Sequence, residues 1–393
     1  MALAQLRWLS TAACALCAAS LAAGETHPAN VELLARGKIA GDAGDLSVSS
    51  HRLETGTPAN QLGGFSAIDY SGDGDTYWVL SDRGPGDGAA SYACRMQKIE
   101  LSWHRADGRL LPKLVETILL RNEGNQNLLG SLSALSHRGE DGLPLALDSE
   151  GLRVLNQKAL IISDEYGPSV SSFDLRGERT GTYVLPKGFS LCEAPSQVSA
   201  TGTYPNRGLE GLAITPNGST LIAAMQGPLV QDGRLEGDKC LGLHTRWVRW
   251  DLTADTGTSQ LLYVLADESS GVSEILAVDE HRYLVLERDS QAGSEARFKR
   301  VYLVDTSMAS DISQVDNLNQ SLQAGAIRPV TKDLLIDMLD PRFGIGGELT
   351  PEKPEGLSWG PALPDGRRTL IICTDNDFET ARDSEFYLFA IRI

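Results

Sequence analysis

The chain has 393 residues, ample for a large core, and a formal net charge of −17 at neutral pH. A protein that neutralises phosphate backbones needs a basic face, so this balance argues against a nucleic-acid partner. It suits an exported protein, or one that concentrates cations, and the 40 Gly and 17 Pro suit a fold with many tight turns.

Arg7 gives the N-terminus a positive start, Trp8 to Leu21 an apolar stretch, and Ser20-Leu21-Ala22 a small-residue cleavage site. Residues 1–22 therefore read as a secretory signal peptide and 23–393 as one mature domain. No later apolar run approaches the roughly 20 residues a membrane span needs. The expected location is periplasmic or secreted. Cys94, Cys192, Cys240 and Cys373 lie beyond the signal segment. An oxidising compartment permits disulfides, and four cysteines allow three pairings. Cys192 and Cys240 both stand in loop-like insertions and form the favoured pair.

Val31 to Ile39 reads as a strand. From about residue 63 a phrase recurs: Glu150-Gly151-Leu152, Glu210-Gly211-Leu212, Glu355-Gly356-Leu357, a looser Ser273-Glu274-Ile275-Leu276 and a degenerate Gly64-Phe65-Ser66-Ala67-Ile68. Each copy is followed by a turn and an apolar run with a polar end, such as Tyr77 to Arg83, Leu160 to Glu165 or Leu370 to Asp377. Repetition at this spacing indicates an array of supersecondary units. The expected fold is an all-β β-propeller with five recognisable blade repeats. A sixth could come from degenerate pieces around 114–147 or 321–350. The last repeat shows only three strands, so the N-terminal strand is expected to complete it and tie the ends together. Asp69 to Asp75 opens like a calcium loop, but Leu80 stands where its final acidic ligand belongs, and a hairpin turn is expected instead.

In a propeller the innermost strand of each blade lines the channel, and the next strand runs back to the same face. Glu150, Glu210, Glu274 and Glu355 start innermost strands; Asp82, Asp164, Glu165, Glu287, Asp375 and Asp377 end second strands. Both sets should converge on one channel mouth. Crowded carboxylates must be protonated, paired with bases or bound to a cation, and calcium suits an all-oxygen site. The candidate metal ligands are Glu150, Glu210, Glu274, Glu355 and Asp375; the candidate catalytic groups are Glu210, Asp82 and Asp164. Arg83, Arg207, Arg288 and Lys353 are interleaved with them and could grip a phosphorylated small molecule. Alternatively, the basic groups pair with the acids and only brace the channel. No serine elbow is present and the six His show no metal-ligand spacing. Trp247 and Trp250 suit packing between blades.

Ser81-Asp82-Arg83-Gly84-Pro85, Leu209 to Gly218 with its Glu210-Gly211-Leu212, Met225 to Leu229, and Lys353 to Leu357 with Thr374 to Phe378 resemble the phytase-like domain family. The resemblance spans roughly 60–390. It implies an exported bacterial β-propeller and suggests phosphoester hydrolysis, with calcium suggested by the better understood β-propeller phytases. The expected activity is hydrolysis of a phosphate ester by a monomer. A metal-dependent lactonase or carboxylesterase on the same scaffold and a non-catalytic envelope binding module are the rivals, since propellers host unrelated functions.

Overall fold

The recurring phrase is a β-bulge. In a computed structural model, which describes residues 30–393 except 50, 196–199, 255–256, 323–324 and 326, it falls inside the innermost strand of each sheet. The expected signal segment, residues 1–22, lies outside the described residues. The described residues form five four-stranded antiparallel units. The first is β2 (Phe65–Tyr70), β3 (Thr76–Ser81), β4 (Arg95–His104) and β5 (Arg109–Leu119). The second is β6 (Ser149–Leu155), β7 (Ala159–Asp164), β8 (Ser169–Asp174) and β9 (Arg179–Tyr183). The third is β10 (Leu209–Ile214), β11 (Thr220–Met225), β14 (His244–Asp251) and β15 (Thr258–Val264), with a small hairpin, β12 (Arg234–Glu236) and β13 (Lys239–Leu241), inserted between its second and third strands.

The fourth unit is β16 (Gly271–Ala277), β17 (Arg282–Arg288), β18 (Lys299–Asp305) and β19 (Thr331–Asp337). The last contains β20 (Lys353–Gly360), β21 (Arg368–Asp375) and β22 (Ser384–Ile391), and β1 (Val31–Ile39) completes it. Strand β1 pairs antiparallel with β22 from Val31 opposite Ile391 to Ile39 opposite Ser384. The N-terminal strand thus closes the last sheet, as the missing fourth strand implied. Residues 114–119 and 331–337 belong to β5 and β19, so these parts of the degenerate segments enter sheets already described.

Strands β2, β6, β10, β16 and β20 touch one another in cyclic order, with β20 returning to β2. The fold is a β-propeller. Its apolar core is divided among the gaps between neighbouring sheets, for example Leu284 and Leu286 against Leu370 and Phe389, or Phe173 and Leu160 against Leu80 and Met96. Trp247 stacks on Tyr263 with ring centroids 5.2 Å apart in one such gap, which makes it a packing residue.

The Gly of the phrase follows from this geometry. A Cβ at Gly151 would lie 2.5 Å from the Glu210 carbonyl oxygen, at Gly211 2.6 Å from the Ile275 nitrogen, and at Gly356 2.8 Å from the Ile68 nitrogen. Adjacent inner strands therefore come too close for any side chain at that position. Every inner strand shifts register there: at Phe65/Ala67, Ser149/Leu152, Leu209/Leu212, Val272/Glu274 and Pro354/Gly356. The extra residue of a bulge re-aims its side chain, and in three copies that side chain is a glutamate.

Below the mouth, Arg153 crosses the ring. Its guanidinium donates to the carbonyls of Ile68 (3.3 Å) and Ile275 (2.6 Å) and lies 3.0 Å from Glu274. Both partners are buried, so removing Glu274 leaves the Arg153 guanidinium, which cannot shed its proton, as an uncompensated charge. Glu274→Leu is expected to cost about 3–5 kcal/mol in urea unfolding, and Glu274→Leu with Arg153→Met to regain most of it. A single variant as stable as the wild type would remove the pair from the account of how the ring is held.

Candidate functional site at the channel mouth

The bulge sends Glu150, Glu210 and Glu355 to one end of the channel, where they meet groups at the ends of second strands. Each of the three is buried. Glu150 feels the charges of Glu210, Asp148, Glu165 and Glu355, and Glu210 those of Glu165 and Glu355, which places all of them in one pocket. Asp148, Glu150 and Glu165 offer oxygens within 4.8 Å of one another, and all three residues are buried. Asp82 lies close enough to both Asp375 and Asp148 to be repelled by them.

Basic groups are present but committed. Arg83 is ion-paired with Asp148, lies 3.6 Å from Glu165 and 2.6 Å from Asp87, and donates to Asn206 Oδ1 at 2.7 Å. Arg288 is ion-paired with Glu355, and Lys353 with Asp375 at 3.0 Å and with Asp377. Arg207 differs. Its side chain forms no ion pair or hydrogen bond among the described residues, although Glu165 and Glu210 are close enough to act on it. Burial lowers its pKa, partly offset by those two carboxylates. A guanidinium remains charged in proteins, so Arg207 is a cation with open donors.

The acids outnumber these bases. Burial, then Glu210, holds the Glu150 carboxyl well above its ordinary range; burial, then Glu165, does so for Glu210; burial, then Asp375, does so for Asp82. Glu165 is pushed up to about 7 by burial and Asp148 against the pull of Arg83, and Glu355 to about 7 by burial against Arg288. Asp375 goes the other way: burial raises it, but Lys353 more than compensates.

The structure treats the predicted site residues unequally. Glu150, Glu210, Glu355, Asp82, Asp375, Arg83, Arg207, Arg288 and Lys353 share the mouth. Glu274 does not join them. In β16 the bulged residue aligned with Glu355 is Ser273, so Glu274 stands one step further along, accepts from the amides of Leu212 (3.0 Å) and Ile275 (2.9 Å), and faces Arg153. Burial pushes its carboxyl up to about 8. Asp164 reaches the rim but its oxygens are taken by the amides of Asp148 (3.0 Å) and Tyr166 (3.1 Å) and by Ser169 Oγ (3.4 Å). It shapes the turn that carries Glu165. Glu287 turns away into an ion pair with Lys332.

Asp148 was not a sequence candidate. It lies two residues ahead of the phrase, and its place becomes visible only when Arg83 of the neighbouring sheet pairs with it. A carboxylate just upstream of the bulge, in Leu147-Asp148-Ser149-Glu150, was the available signal. His244 lies 3.2 Å from Asn319 Oδ1, outside this cluster. All four described cysteines are free thiols; Cys192 and Cys240 border the same loop junction, where Val230 N donates to Gly202 O at 2.9 Å.

The family description "Phytase-like: Esterase-like activity of phytase" matches residues 60–378. The chain belongs to the phytase-like family. This membership supports a hydrolase-type function. A protein of Arthroderma benhamiae named as an uncharacterised secreted protein is 27% identical over 288 residues, 56% of this chain and 56% of that protein, so the chain spans about half the length of that curated relative. Among solved structures, the periplasmic gluconolactonase of Pseudomonas aeruginosa is 10% identical with a TM-score of 0.36, covering 90% of this chain and 93% of that one. Kuenenia stuttgartiensis hydrazine synthase is 12% identical with a TM-score of 0.35, covering 85% and 81%. In this phytase-like chain no helix among the described residues is long and apolar enough to cross a membrane.

The raised carboxyls set a pH dependence. Glu165, Glu355 and Asp164 hold protons to about pH 7 in the folded state, whereas the unfolded chain releases them near 4.5 or 3.8. The folded form binds more protons in that window, so stability declines as pH rises through it. In chelator, the urea midpoint should be lower at about pH 8 than at about pH 5. A midpoint that rises over this interval would contradict the buried-carboxyl assignment.

Proposed function

We propose that the chain is an exported hydrolase of phosphate esters acting at the channel mouth. The observation that carries this reading is the pairing, in one buried pocket, of surplus carboxylates with an unpartnered guanidinium, Arg207. The phytase-like family and the secreted relative support the chemistry and the location. Arg207 would hold the substrate anion, assisted by Arg83 and Arg288 at its edges. Glu210, its carboxyl held well above the ordinary range by burial and Glu165, accepts from Gln226 Nε2 on one oxygen, and its other oxygen would carry a proton to a leaving oxygen. Asp82, also held protonated, is a second proton carrier, and Asp164 positions Glu165.

The residues present fit a divalent cation. Asp148, Glu150 and Glu165 are hard oxygen donors gathered in one buried place. With Glu210, Glu355 and Asp375 nearby, calcium is the ion this donor set suits best. Such an ion, when bound, supplies Lewis-acid charge and makes bound water more acidic. A carboxylester or lactone is the second substrate class. It is favoured by one feature: Arg83, Arg288 and Lys353 are already ion-paired, which leaves Arg207 as the mouth's cation without an ion pair among the described residues.

Two measurements test this. A panel of phosphomonoesters beside lactones and carboxylesters, with and without calcium, should show ion-dependent phosphate release, and Arg207→Ala should raise KM about tenfold to a hundredfold with a smaller change in kcat. No turnover of any ester would leave a binding module as the surviving account. Separately, calcium should raise the melting temperature of the wild type over chelator, because an ion bound only by the folded form stabilises it by mass action. Glu150→Gln should lose that increment; a wild type indifferent to both would remove the metal.

A further inference from the structure

Beside the mouth, between the third and fourth sheets, lies an open cavity of about 850 Å³. Its wall includes Tyr204, Arg207, Asp238, Lys239, Asp267 and Glu268. Three links join it to the mouth. Arg207 faces Glu165 and Glu210 as well as the cavity. Asn206, also in the wall, receives a hydrogen bond from Arg83. Asp289, a further wall residue, directly follows Arg288. The cavity thus borders the place where the ester would sit, with Arg207 common to both, and its size falls in the ordinary range for small-molecule sites, about 300–1,000 Å³.

The chemistry of the wall restricts its occupant. Carboxylates outnumber basic groups along it, and Asp238 is exposed with no partner among the described residues. A moiety bearing further phosphates or carboxylates would be repelled. Tyr204 offers an aromatic face at half-buried depth, and burial raises its hydroxyl pKa, so it stays a neutral phenol. Around it the wall is lined with hydrogen-bonding groups, which suit hydroxyls.

From this we infer that the cavity is the subsite for the non-reacting part of the substrate, and that this part is an uncharged, hydroxyl-rich group of sugar type. The inference rests on the reading of the mouth as an ester-hydrolysing site and narrows it: the substrate carries one reacting phosphate on a neutral polyol, not many phosphates. Arg207 sits at the junction and holds the single anionic group while the polyol stacks on Tyr204.

The test compares kcat/KM for three esters: an uncharged sugar monophosphate, the same sugar bearing a second phosphate, and methyl phosphate, which is too small to reach the cavity. The wild type should prefer the first. Tyr204→Ala should lower the ratio of the first to methyl phosphate about three- to tenfold, and Tyr204→Phe should restore it. Asp238→Lys should shift preference towards the second. Ratios unchanged in both Tyr204→Ala and Asp238→Lys, with methyl phosphate still hydrolysed, would overturn the subsite and leave the mouth intact. If the wild type hydrolyses no ester, the reading of the mouth has failed, and a methyl glycoside is titrated calorimetrically instead. Heat with the wild type that is lost in Tyr204→Ala sustains the subsite; no heat with either overturns it.

Discussion

The molecule is governed by how closely its inner strands approach one another. At Gly151, Gly211 and Gly356 the neighbouring backbone occupies the space that a Cβ would need. That contact fixes where the bulge falls, and the bulge decides which side chain is thrown towards the channel end. Ser163 Oγ reinforces the seam, receiving the Gly151 amide at 2.7 Å and donating to the Glu210 carbonyl at 2.8 Å. The crowding of acids at the mouth is therefore a by-product of the close packing of the inner strands, and packing energy holds the acids together against their repulsion.

Protein bases relieve that repulsion only in part. Arg83, Arg288 and Lys353 each neutralise a partner across or within a sheet, and they account for the reading in which the charges merely brace the channel. Glu150 and Glu210 are left over. For them the options are a proton or an external cation, and which of the two is present depends on pH and ion concentration. The same geometry thus supports proton transfer from a carboxyl and ion binding by a carboxylate, with Arg83 competing for Asp148 against any ion.

Much of this was legible in the sequence because a propeller writes its architecture as repetition. Five copies of one phrase gave the sheets, the three-stranded last repeat gave the role of Val31 to Ile39, and the acidic ends of second strands gave one side of the mouth. The errors are equally physical. Glu274 looks like its counterparts in a linear string, but a bulge is a matter of pairing register, and the register puts Ser273 in the equivalent place. Asp148 has no counterpart in other copies, so repetition could not flag it; it matters through Arg83, which is remote in sequence. The solitary state of Arg207 is a property of its surroundings, and no local pattern encodes it. The favoured disulfide between Cys192 and Cys240 does not form, and both are buried free thiols; the insertions that carry them break the repeat, so the repeat pattern gave no register from which their spacing could be read.

The clasp between β1 and β22 carries a consequence for how the molecule is made. The first strand to be synthesised in this domain finds its antiparallel partner only in the last, so the final sheet cannot zip until Ser384 to Ile391 is available. Folding therefore demands a contact between the two extremes of the polypeptide, a slow and entropically costly step in a chain of this length. Until it is made, the edge of β22 that β1 will cover is unpaired, the kind of edge that can template pairing with other chains.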